Sequence, residues 1–73
     1  MTERHFALSD IEYNIITTLS NLLQSEDALH KYIADAKAAG DTKTEAIFGE
    51  LHDANRDFAK KLRECLHDQF MNR

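Results

Sequence analysis

A glycine followed by an aspartate, Gly40-Asp41, separates two stretches of nearly the same apolar pattern. On each side apolar residues recur at helical spacing, and no proline interrupts either run. Each stretch therefore reads as one long amphipathic helix. Glycine takes the left-handed C′ conformation that ends a helix without the steric cost other residues bear. Two long helices joined by two or three residues must lie beside each other and antiparallel. The expected fold class is all-α, an antiparallel helical hairpin forming one domain over residues 1–73.

Capping signals set the bounds. Met1 to Leu8 reads as a short lead-in, with Phe6 and Leu8 placed to pack back on the hairpin. Ser9 and Glu12 have the spacing of a capping box, in which the serine oxygen accepts the N3 amide proton and the glutamate reaches back to the N-cap amide. Thr42 and Glu45 repeat that spacing, with Asp41 as a rival N-cap. The first helix is expected over about residues 10–39, the turn at 40–41 and the second helix over about 42–70.

A seam follows from the 4-3 spacing. On the first helix it comprises Ile15, Leu19, Leu22, Glu26, Leu29, Ile33 and Ala36; on the second, Phe48, Leu51, Asn55, Phe58, Leu62, Cys65 and Gln69. With the turn centred on Gly40 and Asp41, facing residues have numbers that sum to about 81. Leu19 then meets Leu62, Ile33 meets Phe48, and the polar Glu26 meets the polar Asn55. Beside the seam runs a second stripe at a period of seven: Ile16, Leu23 and His30 on one helix, His52, Ala59 and Leu66 on the other. A lone hairpin leaves Ile16, Leu23 and Leu66 in water, although each is worth about 1.5–3 kcal/mol when buried. The expected answer is a second copy. Ile16, Leu23, Ala59 and Leu66 would form the dimer interface of a two-fold four-helix bundle.

Size and composition lead the same way. A chain of 73 residues falls where a single core rarely suffices without disulfides, a metal or a partner subunit. Cys65 is the sole cysteine, so no disulfide can form within the chain. One unpaired thiol and no signal-peptide pattern point to a reducing cytoplasm. No apolar run approaches the roughly 20 residues of a membrane span. The net charge of −4, with both signs interspersed, argues against a nucleic-acid or lipid surface. Lys60, Lys61 and Arg63 form a weak basic cluster, best read as a favourable helix C-terminal end.

One polar constellation stands out. Glu26 and His30 lie one turn apart, and His52 and Asn55 fall at the same height on the other helix. A carboxylate with two imidazoles suits zinc or iron, so Glu26, His30 and His52 are candidate metal ligands. The alternative is structural: Glu26 shares a hydrogen bond with Asn55, or pairs with Arg56, and fixes register. Cys65, at a seam position and without a basic neighbour, reads as a small buried apolar residue. His5 and His67 sit near the ends without visible partners. No Gly-rich phosphate loop, CxxC, HExxH or nucleophile elbow occurs, so no catalytic residue is assigned and no enzyme activity is expected.

Tyr32, Ala36, Gly40, Ala46-Ile47-Phe48, Glu50 and Ala59-Lys60-Lys61-Leu62 together resemble a helical hairpin of the ferritin-like superfamily, rubrerythrin type, over roughly residues 21–62. The resemblance implies hairpins paired into a four-helix bundle. It also implies a metal-ligand Glu on the first helix and a Glu-x-x-His on the second. Leu22 occupies the first position in an ungapped comparison, with Glu26 one turn later. The Glu-x-x-His positions hold Asn55-Arg56-Asp57-Phe58, so an intact di-iron centre is not expected. Leu51-His52-Asp53 in a short acidic hairpin is also similar to the Rop-like plasmid copy-control proteins, dimeric hairpins that bind paired RNA loops. The leading expectation is a non-catalytic homodimeric interaction module, with an unidentified protein partner left open. Metal binding through Glu26, His30 and His52 is the first alternative and RNA binding the second.

Overall fold

The computed structural model describes residues 8–72. Two helices account for nearly all of them: α1, Asp10–Ala38, and α2, Thr42–Met71. They pack along each other as an antiparallel hairpin in a body of 50 × 18 × 16 Å. Leu8 is half-buried beside the start of α1; Phe6 and His5 lie outside the described residues. No helix among the described residues is long and apolar enough to cross a membrane.

The caps follow the side-chain chemistry. Ser9 Oγ accepts from the Glu12 amide at 3.1 Å, and Glu12 Oε1 accepts from the Ser9 amide at 3.1 Å, which completes the expected capping box. At the other end Gly40 adopts φ 74°. The Asp41 amide donates to the Ala36 carbonyl and the Gly40 amide to the Lys37 carbonyl. This is the paired closure that satisfies the last carbonyls of a helix. The second helix departs from expectation. Its N-cap is Asp41, not Thr42, because the Asp41 carboxylate reaches both the Thr44 amide at 3.0 Å and the Thr44 hydroxyl at 2.7 Å. Those two bonds, the backbone one first, hold the Asp41 carboxyl below its ordinary value of 3.8. A lowered pKa favours the charged cap in the folded chain. Its contribution is therefore complete above the ordinary value and fades as acid titrates through the lowered one.

Every seam residue expected on α1 is buried or half-buried. On α2 the seam is displaced by one position at alternate steps. Phe48, Asn55, Leu62 and Gln69 face inward as expected, but Leu51 is 47 % and Phe58 57 % exposed, and Cys65 is exposed too. His52, Ala59 and Leu66 are half-buried in their place. The reason is geometric. Antiparallel helices keep facing layers only if the steps of one mirror those of the other. The four-residue step from Ile15 to Leu19 must therefore face the four-residue step from Leu62 to Leu66. The spacing 48-52-55-59-62-66-69 meets that condition and 48-51-55-58-62-65-69 does not.

Gly40 is the residue the hairpin turn cannot replace cheaply. A Cβ there would meet no atom within 4 Å, so the cost is backbone strain alone. Gly40→Ala is expected to lose about 1–2 kcal/mol, read as a fall in melting temperature with unchanged helical content. An unchanged melt would show that the left-handed turn does not limit stability.

Candidate functional site

Halfway along the hairpin the apolar seam gives way to polar side chains. α1 presents Glu26 and His30 one turn apart on one face. α2 brings His52 into the seam, where its side chain is 13 % exposed and that of Glu26 27 %. His52 Nε2 lies 2.9 Å from Glu26 Oε2 and 3.2 Å from His30 Nε2. The two imidazoles meet edge to face, with centroids 4.8 Å apart and planes at 90°. One ligand atom from each of Glu26, His30 and His52 falls within 4.8 Å of the others. On the far side of the ring, His52 Nδ1 is 3.5 Å from the exposed Asp53 carboxylate, a long contact. The structure thus gathers the three residues that the sequence singles out.

Asn55 does otherwise. Its amide donates to Ser25 Oγ at 3.3 Å, and the Glu26 carboxylate turns to His52. The expected Glu26–Asn55 layer is replaced by two polar pairs, one toward each flank of the hairpin. The expected pairing of Glu26 with Arg56 gives way to the same His52 contact.

Those pairs mark the two flanks. Ser25–Asn55 and the Tyr32–Phe48 ring contact, at 5.8 Å between centroids, lie on one; Glu26, His30 and His52 lie toward the other. Leu51, Phe58 and Cys65 precede the seam residues His52, Ala59 and Leu66 as Ser25 and Tyr32 precede Glu26 and Ile33. Antiparallel packing turns such equivalent positions to the same flank. The first flank therefore carries Tyr32, Leu51, Phe58 and Cys65, all exposed, with Ile47 beside them at 53 %. Toward the turn a groove of about 430 Å³ opens between Tyr32, Ala36 and Phe48. The opposite flank carries Ile16, 39 % exposed, and Leu23, 62 % exposed, alongside His30, Arg56 and Arg63.

Of the residues expected at a dimer interface, Ile16 and Leu23 are exposed on α1, and Ala59 and Leu66 are half-buried on α2. Cys65, expected to be buried, is exposed. Periodicity alone places the stripe of Leu51, Phe58 and Cys65 in the seam, and the mirror rule for antiparallel steps is the signal that turns it outward.

No protein-family model matches the chain, nor does any curated protein or solved structure. The structure places the residues that stand at the Glu-x-x-His positions of the ferritin-like resemblance. Of the Glu-x-x-His positions, Asn55 is occupied with Ser25 and Phe58 stands outward at 57 % exposure. Neither residue has the donor chemistry, and Phe58 does not face the seam, so these residues do not fit a di-iron pair.

Asn55 holds a seam position through one hydrogen bond of 3.3 Å to a serine. Asn55→Leu should leave the melting temperature unchanged or raise it by the equivalent of about 1 kcal/mol, because apolar burial outweighs a single neutral bond. A clear fall in the melt would show that the amide is needed to hold the hairpin.

Proposed function

We propose that this chain is a non-catalytic interaction module that works as a homodimer, two hairpins packed flank to flank as a four-helix bundle. The observation that carries the reading is the apolar flank on which Ile47, Leu51 and Phe58 are 53 %, 47 % and 57 % exposed. A lone hairpin leaves those side chains in water, and a second hairpin laid along the flank would cover them.

A second copy is the occupant this flank suits. Its middle positions are Ser25, Ala28, Ala54, Leu51 and Phe58, with no charge among them, as the centre of an interface requires. Charge returns at the border with Asp35 and Lys61, the latter lying 5.4 Å over the Phe58 ring. A face of uncharged, mixed large and small residues is compatible with itself under a two-fold axis. An exposed single thiol suits a reducing compartment such as the cytoplasm. The RNA reading has less to stand on, since Lys60 and Arg63 share their surface with Glu64 and Asp68.

Sedimentation equilibrium tests the proposal. The wild-type chain should be dimeric at micromolar concentration. Phe58→Glu, which leaves the seam untouched, should raise the dimer dissociation constant by about 100-fold or more, because it would bury an unpaired charge. Leu23→Glu, on the opposite flank, should remain dimeric. A wild-type chain that stays monomeric at tens of micromolar would refute the reading, and loss of the dimer in Leu23→Glu alone would move the interface to the other flank.

Cys65 offers a second readout. Labelling by a thiol reagent should be fast in dilute protein and slow as concentration rises, since dimerisation covers the flank. A rate independent of concentration would place Cys65 outside the interface.

A further inference from the structure

We infer that Glu26, His30 and His52 form a binding site for one divalent transition-metal ion, independent of the dimer flank. The argument begins with His52. Its Nε2 is within 2.9 Å of a carboxylate oxygen and 3.2 Å of a second imidazole nitrogen. A carboxylate at neutral pH only accepts, and a neutral imidazole has one donor nitrogen and one acceptor. One proton on His52 Nε2 satisfies Glu26 or His30 but not both in full. With the proton on Nδ1, toward Asp53, Nε2 presents a lone pair, and the Glu26 carboxylate and the His30 ring nitrogen stand beside it. A metal ion at the centre would take all three as ligands.

Geometry favours the metal. Ligand bonds of about 2.0–2.2 Å in a tetrahedral zinc site set neighbouring donor atoms roughly 3.3 Å apart. The contacts of 2.9 and 3.2 Å are within a few tenths of that, and the three donors lie within 4.8 Å of one another. Side-chain rotation of the exposed His30 closes the remainder. A proton needs one short contact, whereas here three donor groups from two helices converge. Two imidazoles and one carboxylate form the donor set of zinc centres that keep a fourth position open, and of the iron(II) facial triad. Asp53, beside His52 Nδ1, is placed as the outer carboxylate that fixes the tautomer of a metal-bound histidine. Glu26 and His30 come from α1 and His52 from α2, so a bound ion also ties the two helices together at mid-height.

The test uses the full chain without an affinity tag, melted alone, with Zn(II), and with Zn(II) followed by EDTA, and titrated with Co(II) in visible light. Zn(II) should raise the melting temperature and EDTA should return it. Co(II) should develop the intense visible bands of a tetrahedral centre. His30→Ala, an exposed position that leaves the fold intact, and His52→Ala should each weaken Zn(II) binding by at least about 100-fold. Asp53→Ala should weaken it about tenfold, whereas His67→Ala should not change it. A wild-type melt indifferent to Zn(II), a Co(II) spectrum unchanged from the aqueous ion, or a Zn(II) shift that survives His30→Ala would overturn the assignment.

Discussion

The structure depends on a single seam between two antiparallel helices, because a hairpin has no third element to cover its flanks. Among the described residues the buried apolar side chains are Ile15, Leu29 and Ala36. That is a small interior for helices of 29 and 30 residues. Helix propensity and capping do not make up the difference, since most helical stability comes from packing an apolar face. The turn matters for this reason. Gly40 and the Asp41 cap fix where each residue of α2 lies along α1, and that register decides which side chains are left outside. Leu51 and Phe58 are outside because His52 and Ala59 are inside.

The seam spends its middle on polar groups. His52 occupies a position where an apolar residue would pack, and Glu26 lies beside it. Placing a carboxylate and an imidazole in a seam is costly unless each has a partner, and here each is the other's. The polar pair thus lies at mid-height, between the apolar ends formed by Ile15 and Leu62 on one side and Ile33 and Phe48 on the other, with the buried Leu29 beside it. The proposed ion would join α1 to α2 at that height, and the proposed second hairpin would lie along the other flank. The two devices use opposite sides of one seam and do not compete for space.

Much of this was legible in the sequence. The Ser9–Glu12 box, the glycine turn and the whole seam of α1 follow from spacing, because on α1 one 4-3 set is apolar and its neighbours are mostly polar. On α2 two interleaved sets are apolar, Leu51–Phe58–Cys65 and His52–Ala59–Leu66, and periodicity alone does not separate them. The partner helix decides, through the requirement that facing steps mirror each other. The same ambiguity of phase hides the exposure of Cys65. Glu26, His30 and His52 were found because a three-residue cluster tolerates a small error of phase. The choice of Ser25 by Asn55 was not visible, since hydrogen-bond partners depend on side-chain reach to one flank or the other.

The proposed completion of the hairpin's interior by a second copy is tested most directly by the dependence of the melt on protein concentration. Dimerisation stabilises the folded state by mass action. The melting temperature of the wild-type chain, followed by circular dichroism with EDTA present to remove metal, should rise steadily from about one to several hundred micromolar. A melting temperature that stays constant across that range would show that one hairpin folds on its own and would contradict the account.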